Sequence, residues 1–228
     1  MDPAIESGLR RHLARHAAKL AAGEERLGWK VAFNAPPIQQ HLGLPHSLVA
    51  GLGRSSLREV GERHSLEGGT RIALEAEVGV ALGRDVASTD SDDDIAGAIE
   101  GLAPAIEIVD INRGFEELEE ILAEGVFHRA VVLGAMRAPT GGVSLGGVTA
   151  RVELDDDEVV TIDAGLATGN PVDVLRRVAG ILEPLGEGLR AGDRIILGSM
   201  NVPPRATPGC SFALSLEGWE PLRVDFDT

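Results

Sequence analysis

Arg71-Ile72-Ala73-Leu74-Glu75-Ala76-Glu77-Val78-Gly79-Val80-Ala81-Leu82 alternates without a break. Ile72, Leu74, Ala76, Val78, Val80 and Leu82 share one face, and a period of two makes this segment a β-strand with an apolar side. The other face carries Glu75 and Glu77 among Ala73, Gly79 and Ala81. Residues two apart in a strand point the same way, so the carboxylates stand side by side with only small neighbours. Like charges this close repel, and burying them demands a compensating cation. Two readings compete. One is a solvated edge face, where acids are ordinary; the other is a pair of hard oxygen ligands suited to Mg²⁺, with Mn²⁺ or Ca²⁺ as alternatives.

Downstream, Ala105-Ile106-Glu107-Ile108-Val109-Asp110-Ile111 reads as a central strand interrupted by acids. A carboxylate embedded in such a run must be paired, protonated or metal-bound. Asp110 lies three positions on and points to the opposite face, so Glu107 is taken as the third ligand. Three carboxylates leave open positions for water and a bidentate substrate. Upstream, Gly28-Trp29-Lys30-Val31-Ala32-Phe33 is a short strand in which Lys30 breaks the apolar run. Either it snorkels to solvent at a strand edge, or it lies near the metal with a lowered pKa that suits it to move protons.

Around these segments the pattern mixes helices and strands. Ile5 to Ala22 is an amphipathic helix stopped by Gly23, and Ala35 to Gly53 is a Pro- and Gly-punctuated stretch holding a short helix at Ile38 to Leu42. Ser91 opens a helix with Asp92, Asp93 and Asp94 in its first turn, expected to carry Ile95, Ile99 and Leu102 and to end near Pro104. Phe115 to Leu122 reads as a helix and Ala130 to Leu133 as a strand. Val148 to Ile162 reads as a hairpin turning at Asp155 to Glu158, where the acids suit a solvated turn better than a metal site. Pro171 opens a helix to Leu185, and strands follow at Arg194 to Leu197, Phe212 to Leu216 and Leu222 to Phe226. The class is α+β with a mixed β core. Residues 1–63 are expected to form a small helix-and-strand subdomain and 64–228 the catalytic domain.

Composition narrows the partners. Apolar residues make up 43% of the 228 residues, but no run approaches the roughly 18 needed to span a membrane. The opening Met1-Asp2-Pro3-Ala4-Ile5-Glu6 lacks the layout of a signal peptide, so a cytoplasmic protein is expected. A formal charge of -15 argues against nucleic acid or anionic membrane as a partner. An anionic small molecule must then be drawn in locally, by a metal or a few basic groups. The single cysteine, Cys210, has no evident activating base and is read as structural. His128-Arg129, between a helix and a strand, either orients a substrate carboxylate or caps the helix. His12, His16, His41, His46 and His64 show no ligand spacing.

The order of segments resembles the 2-keto-4-pentenoate hydratase family of the fumarylacetoacetate hydrolase superfamily. The matching stretches are Gly28-Trp29-Lys30, Glu75-Ala76-Glu77 in a strand ending Ala81-Leu82-Gly83-Arg84-Asp85, and Pro104 to Asp110. They continue in Val131-Val132-Leu133-Gly134, Gly169-Asn170-Pro171, and Ala191-Gly192-Asp193 leading to Leu197-Gly198-Ser199. The resemblance implies a mixed β-roll, a Mg²⁺ or Mn²⁺ site at Glu75, Glu77 and Glu107, proton transfer by Lys30, and a homo-oligomer. Relatives act in catabolism of aromatic compounds, adding water to 2-hydroxy-dienoates or decarboxylating 2-oxo diacids. A 2-oxo acid chelates such a metal through its carboxylate and keto oxygens, and the metal stabilises the enolate. His128, Arg129 and Ser199 are placed as substrate contacts.

Three departures stand out. Ser47-Leu48-Val49 occupy a position where an acid reaching the site is expected, Phe127-His128-Arg129 replace small polar residues, and Met200-Asn201 stand where a Thr often follows. A hydratase-type, metal-dependent lyase is the leading expectation. The alternatives are a 2-oxo-diacid decarboxylase, an acylpyruvate-type C–C hydrolase with His46 activating water, and a non-catalytic relative that binds metal and 2-oxo acid.

Overall fold

The computed structural model describes residues 2–228; Met1, the first residue of the opening segment, lies outside them. α1 (Pro3–Ala21) starts where the Asp2 carboxylate accepts from the Ala4 and Ile5 amides, an N-cap followed by proline in the first turn. β1 (Arg26–Ala32), α2 (Pro36–Leu42), β2 (Leu48–Gly53), β3 (Leu57–Arg58) and β4 (Arg63–His64) follow. Then come β5 (Ile72–Leu82), α3 (Asp92–Ala98), β6 (Ile99–Asp110), α4 (Leu118–Ala123) and β7 (His128–Leu133). The remainder is β8 (Thr149–Leu154), β9 (Asp157–Asp163), α5 (Ala164–Thr168), α6 (Pro171–Leu182), β10 (Arg194–Ile196), β11 (Ser211–Leu216) and β12 (Leu222–Phe226). No helix among the described residues is long and apolar enough to cross a membrane.

Two sheets result. A seven-stranded mixed sheet runs β2-β1-β10-β5-β6-β7-β3, and a five-stranded sheet runs β4-β12-β11-β8-β9. The apolar face of β5 supplies Leu74, Val78 and Leu82 to the main core, where they share one cluster with Phe212, Leu214, Val224 and Phe226 of the smaller sheet and with Leu175 and Val178 of α6. Each such large side chain removed from water contributes roughly 1.5–3 kcal/mol. The opposite face of the large sheet carries a smaller cluster, Leu27, Leu52, Ala105, Val131 and Ile196. Glu75 and Glu77 of β5 and Glu107 of β6 sit on this second face.

β1 lies between β2 and β10, so hydrogen bonding of the large sheet runs across the 63/64 boundary expected between subdomains. β2 itself lies in the stretch read from sequence only as Pro/Gly-punctuated. The helix opened by Ser91 is shorter than its spacing predicts: it stops at Ala98, and Ile99 and Leu102 belong to β6. Pairing decides the matter. β6 runs antiparallel to β5 along its whole length, from Ile99 opposite Leu82 to Asp110 opposite Ile72, and this ladder overrides a local pattern that fits either element. The expected hairpin turn narrows to Asp155 and Asp156, both with positive φ, the geometry of a two-residue turn.

Gly28 shows how the backbone places the site. Its φ is 146°, and a Cβ there would run into the backbone of Arg194, the residue it pairs with in β10. This close approach sets the register in which Trp29 and Lys30 stand opposite Ile195 and Ile196. Gly28→Ala is expected to destabilise the fold by roughly 2–4 kcal/mol, read as a lower midpoint in urea unfolding. An unchanged midpoint would mean that the β1–β10 register does not depend on this glycine.

Candidate metal centre

Strand register brings the acids together. Glu75 of β5 stands directly opposite Glu107 of β6, and Glu77 lies two positions on along β5, opposite Ala105. One carboxylate oxygen from each of the three lies within 4.8 Å of the others. Glu77 and Glu107 are buried, while Glu75 is half-buried and opens onto a cavity. Lys30 reaches the same face because it pairs with Ile196, which in turn pairs with Gly79 of β5.

Lys30 is buried and its ammonium donates to Glu107 Oε1 at 2.5 Å and to the Val126 carbonyl at 3.0 Å. His128 stands on the same oxygen, with Nδ1 2.7 Å from Glu107 Oε1. Both partners crowd Oε1, and Oε2 of Glu107 has none. Glu77 repeats the arrangement: Gly198 N–H donates to its Oε2 at 2.8 Å, and its Oε1 is unpartnered. Gly198 has φ 108°, and a Cβ there would collide with Asn34, so only glycine presents that amide to Glu77. Two orphaned carboxylate oxygens, buried beside a third carboxylate, form a donor set that a hard cation completes. The residues fit a divalent ion.

The electrostatics agree. Burial and the neighbouring Glu107 charge push the Glu75 carboxyl up to about 8, against the pull of Lys30. The same causes raise Glu77 well above the ordinary range. Glu107 would also be raised by burial, but Lys30 and His128 overcome this and hold it down at about 2. The lowered Lys30 pKa expected from sequence supposed a metal beside it; the protein's own groups act the other way. Burial does lower it, but the charges of Glu107, Glu75 and Glu77 outweigh that and raise it above its ordinary value.

The cavity encloses about 820 Å³ and is lined by Lys30, Glu75, Ser199 and a largely apolar wall. Ser199 is thus at the cavity, although its hydroxyl donates to the Asn201 carbonyl at 2.8 Å. Arg129 is not on this wall: its guanidinium donates to the Glu67 carbonyl at 2.5 Å and lines a separate cavity of about 360 Å³. His128 lines that second cavity too, touching the centre only through Glu107. His46 lines a third cavity of about 440 Å³, beside Ser47, with Nδ1 2.7 Å from the Ser47 carbonyl. Ser47 is buried at the entry to β2, which removes the position of the expected acid from the Glu75 cavity. Asn201, one of the departures, binds the main chain on either side of Glu75. Its Oδ1 accepts from Ala76 N–H at 2.7 Å and its Nδ2 donates to the Leu74 carbonyl at 3.1 Å. Sequence reasoning missed Arg71, Phe33 and Phe115 on the cavity wall, and marked Phe127 only as a departure from the family pattern.

Residues 11–224 match the family model described as fumarylacetoacetate (FAA) hydrolase C-terminal. The chain belongs to this family. A 2-keto-4-pentenoate hydratase of Paraburkholderia xenovorans is 25% identical over 216 residues, covering 92% of this chain and 79% of the relative. A 4-oxalocrotonate decarboxylase of a Pseudomonas species is 25% identical over 197 residues, covering 86% and 76%. Among solved structures, 4-oxalocrotonate decarboxylase from Pseudomonas putida, complexed with magnesium and adipate, superposes with a TM-score of 0.86 at 18% identity, covering 94% of this chain and 83% of that one. Fumarylpyruvate hydrolase from Pseudomonas aeruginosa, in complex with Mn²⁺ and pyruvate, gives 0.73 at 14% identity, covering 89% of each chain. The mixed two-sheet architecture of this chain is therefore the fumarylacetoacetate hydrolase fold.

Carboxyls raised above their unfolded values favour the fold most below about 4.5, and that contribution is lost as pH rises toward about 8. In EDTA, stability is therefore expected to fall across this window, and added Mg²⁺ or Mn²⁺ to restore it with release of protons. Calorimetry in buffers of different ionisation enthalpy reads the protons, and apparent affinity should rise about tenfold per pH unit for each proton released. Metal uptake without proton release, or none at all, would overturn this account of Glu75 and Glu77.

Proposed function

We propose that this chain is a divalent-metal-dependent lyase of the 2-keto-4-pentenoate hydratase type, acting on a small 2-oxo acid or its 2-hydroxy-dienoic enol, with Mg²⁺ as the ion. The observation that carries the reading is the pair of orphaned oxygens on the buried Glu77 and Glu107 beside Glu75, which together with Lys30 lines a large cavity. When bound at Glu75, Glu77 and Glu107, a divalent cation supplies Lewis-acid polarisation of a 2-oxo carboxylate.

The chain's own residues do the rest. Glu107, clamped on Oε1 by Lys30 and His128, is held in one orientation with Oε2 aimed away from them. Lys30 carries its proton at the cavity wall, anchored by Glu107 and the Val126 carbonyl. From there Nζ delivers a proton to the substrate carbon chain during ketonisation and takes one back. A wall of Val109, Ile111, Val126 and Phe127 excludes bulk water around that transfer. Ser199 contributes a hydroxyl to the substrate side of the cavity. The reading carries a homo-oligomeric, cytoplasmic enzyme of aromatic-compound breakdown.

A substrate panel with Mg²⁺, with and without EDTA, tests it. Hydration removes the ultraviolet absorbance of 2-hydroxypenta-2,4-dienoate without gas, decarboxylation of 2-oxo-hex-3-enedioate releases CO₂, and acylpyruvate hydrolysis yields pyruvate. The expected result is EDTA-sensitive loss of absorbance, with kcat at least about 100-fold lower in Lys30→Met. Oxalate binding with Mg²⁺ and no turnover of any substrate would leave only a binding protein.

A further inference from the structure

We propose that the large cavity selects a 2-oxo acid with a bulky apolar tail, aryl or branched alkyl, over a dicarboxylate, with Phe33, Phe115 and Phe127 gripping the tail. The proposal rests on the metal-centred reading above and names the substrate class of that same site.

Aromatic residues are scarce in this chain, with five phenylalanines and no tyrosine. Three of the five line the cavity shared with Lys30 and Glu75. They pack edge to face: Phe33 and Phe115 have centroids 5.8 Å apart, and Phe115 and Phe127 are 6.2 Å apart. Such T-shaped arrays present ring faces and edges to a further apolar group. Phe115 is 39% exposed, so the middle ring of the array still has surface to bury.

The backbone is strained to place them. Phe33, Val126 and Phe127 have φ of 52°, 53° and 63°, a region costly for bulky and β-branched side chains. The other non-glycine residues with positive φ among those described, Asp155 and Asp156, merely make the β8–β9 turn. Hydrogen bonds hold the strained pair: Val126 N–H donates to the Ile121 carbonyl and Asp110 N–H to the Phe127 carbonyl, both at 2.8 Å. Strain of this kind gathers where a binding surface must be presented.

Size and charge point the same way. At about 820 Å³ the cavity lies in the range of pockets for drug-sized ligands, about 300–1,000 Å³. Its far wall adds Val160, Ile162, Leu166 and Val202, the last two 84% and 88% exposed. A second carboxylate would need a basic partner. Lys30 is spent on Glu107, and Arg71, the only other cation on the wall among the described residues, is solvent-exposed at the start of β5.

Calorimetry on the full chain with Mg²⁺ decides it, using oxalate, 2-oxo-4-phenylbutanoate and 2-oxoadipate as probes. The phenyl acid is expected to bind at least about tenfold more tightly than 2-oxoadipate. Phe115→Ala and Phe33→Gly, the latter compatible with the positive φ, should each erase most of that preference while oxalate affinity stays within about twofold. Equal or tighter binding of 2-oxoadipate, weakened by Arg71→Ala, overturns the proposal in favour of a diacid site. A preference that survives both Phe variants overturns the role of the rings. No oxalate binding at all overturns the metal-centred reading and this proposal with it, a result distinct from the other two.

Discussion

The buried contact between Lys30 and Glu107 organises the rest of the functional face. Removing two charges from water costs several kcal/mol per ion, and a sheet interior repays this only when geometry and further hydrogen bonds are good. Here the ammonium has two acceptors, and Glu107 Oε1 has two partners, Lys30 and His128. Each partner arrives from a different strand, β1, β6 and β7. The parallel β1–β10 pairing at Gly28, the long β5–β6 ladder and the β6–β7 pairing must all form before the contact exists. The ion pair therefore makes the stability of the large sheet and the geometry of the centre one problem.

That contact also divides the three carboxylates into unlike kinds. Glu107, compensated by Lys30, stays ionised; Glu75 and Glu77, held close to it without a cation of their own, are pushed toward the neutral form. A protein selected for stability alone has no use for two acids that burial and a neighbouring charge push toward the neutral form. Apolar residues of similar volume would serve the sheet better. Their presence on a face whose other members are Ala73, Gly79 and Ala81 is the mark of a site whose stabilising partner is a ligand.

Much of this was legible in the chain because period-two alternation is the least ambiguous local signal. The face shared by Glu75 and Glu77, the oddity of Glu107 and the intrusion of Lys30 into an apolar strand all follow from it. What could not be read was whatever depends on register between distant strands. Glu75 opposite Glu107 is a pairing fact, and so is the conversion of Ile99 and Leu102 from helix to strand. The charges that act on Lys30 could not be read either, because Glu107, Glu75 and Glu77 converge on it only in space. Arg129 and His128, adjacent in sequence, part company because neighbouring strand residues face opposite ways. One meets Glu107 and the other the carbonyl of Glu67. The cavity phenylalanines come from three separate places, two loops and the start of a 3-10 turn at Phe115, and nothing in their spacing groups them.

The charge of the centre explains why a divalent ion, rather than further lysines, suits this fold. Fully ionised, three carboxylates against one ammonium leave two negative charges, which a divalent ion cancels. Protonation of Glu75 and Glu77 achieves the same neutrality without metal, but it leaves nothing to attract an anion. With a formal charge of -15 over the whole chain, the long-range field repels a 2-oxo acid, and Lys30 is already committed. On the proposed reading, an ion exchanged for those two protons would keep the buried charge balanced while placing concentrated positive charge beside the cavity that Glu75 lines. It can pair with a substrate carboxylate there, where surrounding apolar walls keep the local dielectric low. On that reading, admission and activation of substrate would depend on the same ion, and the raised Glu75 and Glu77 mark where it would be held.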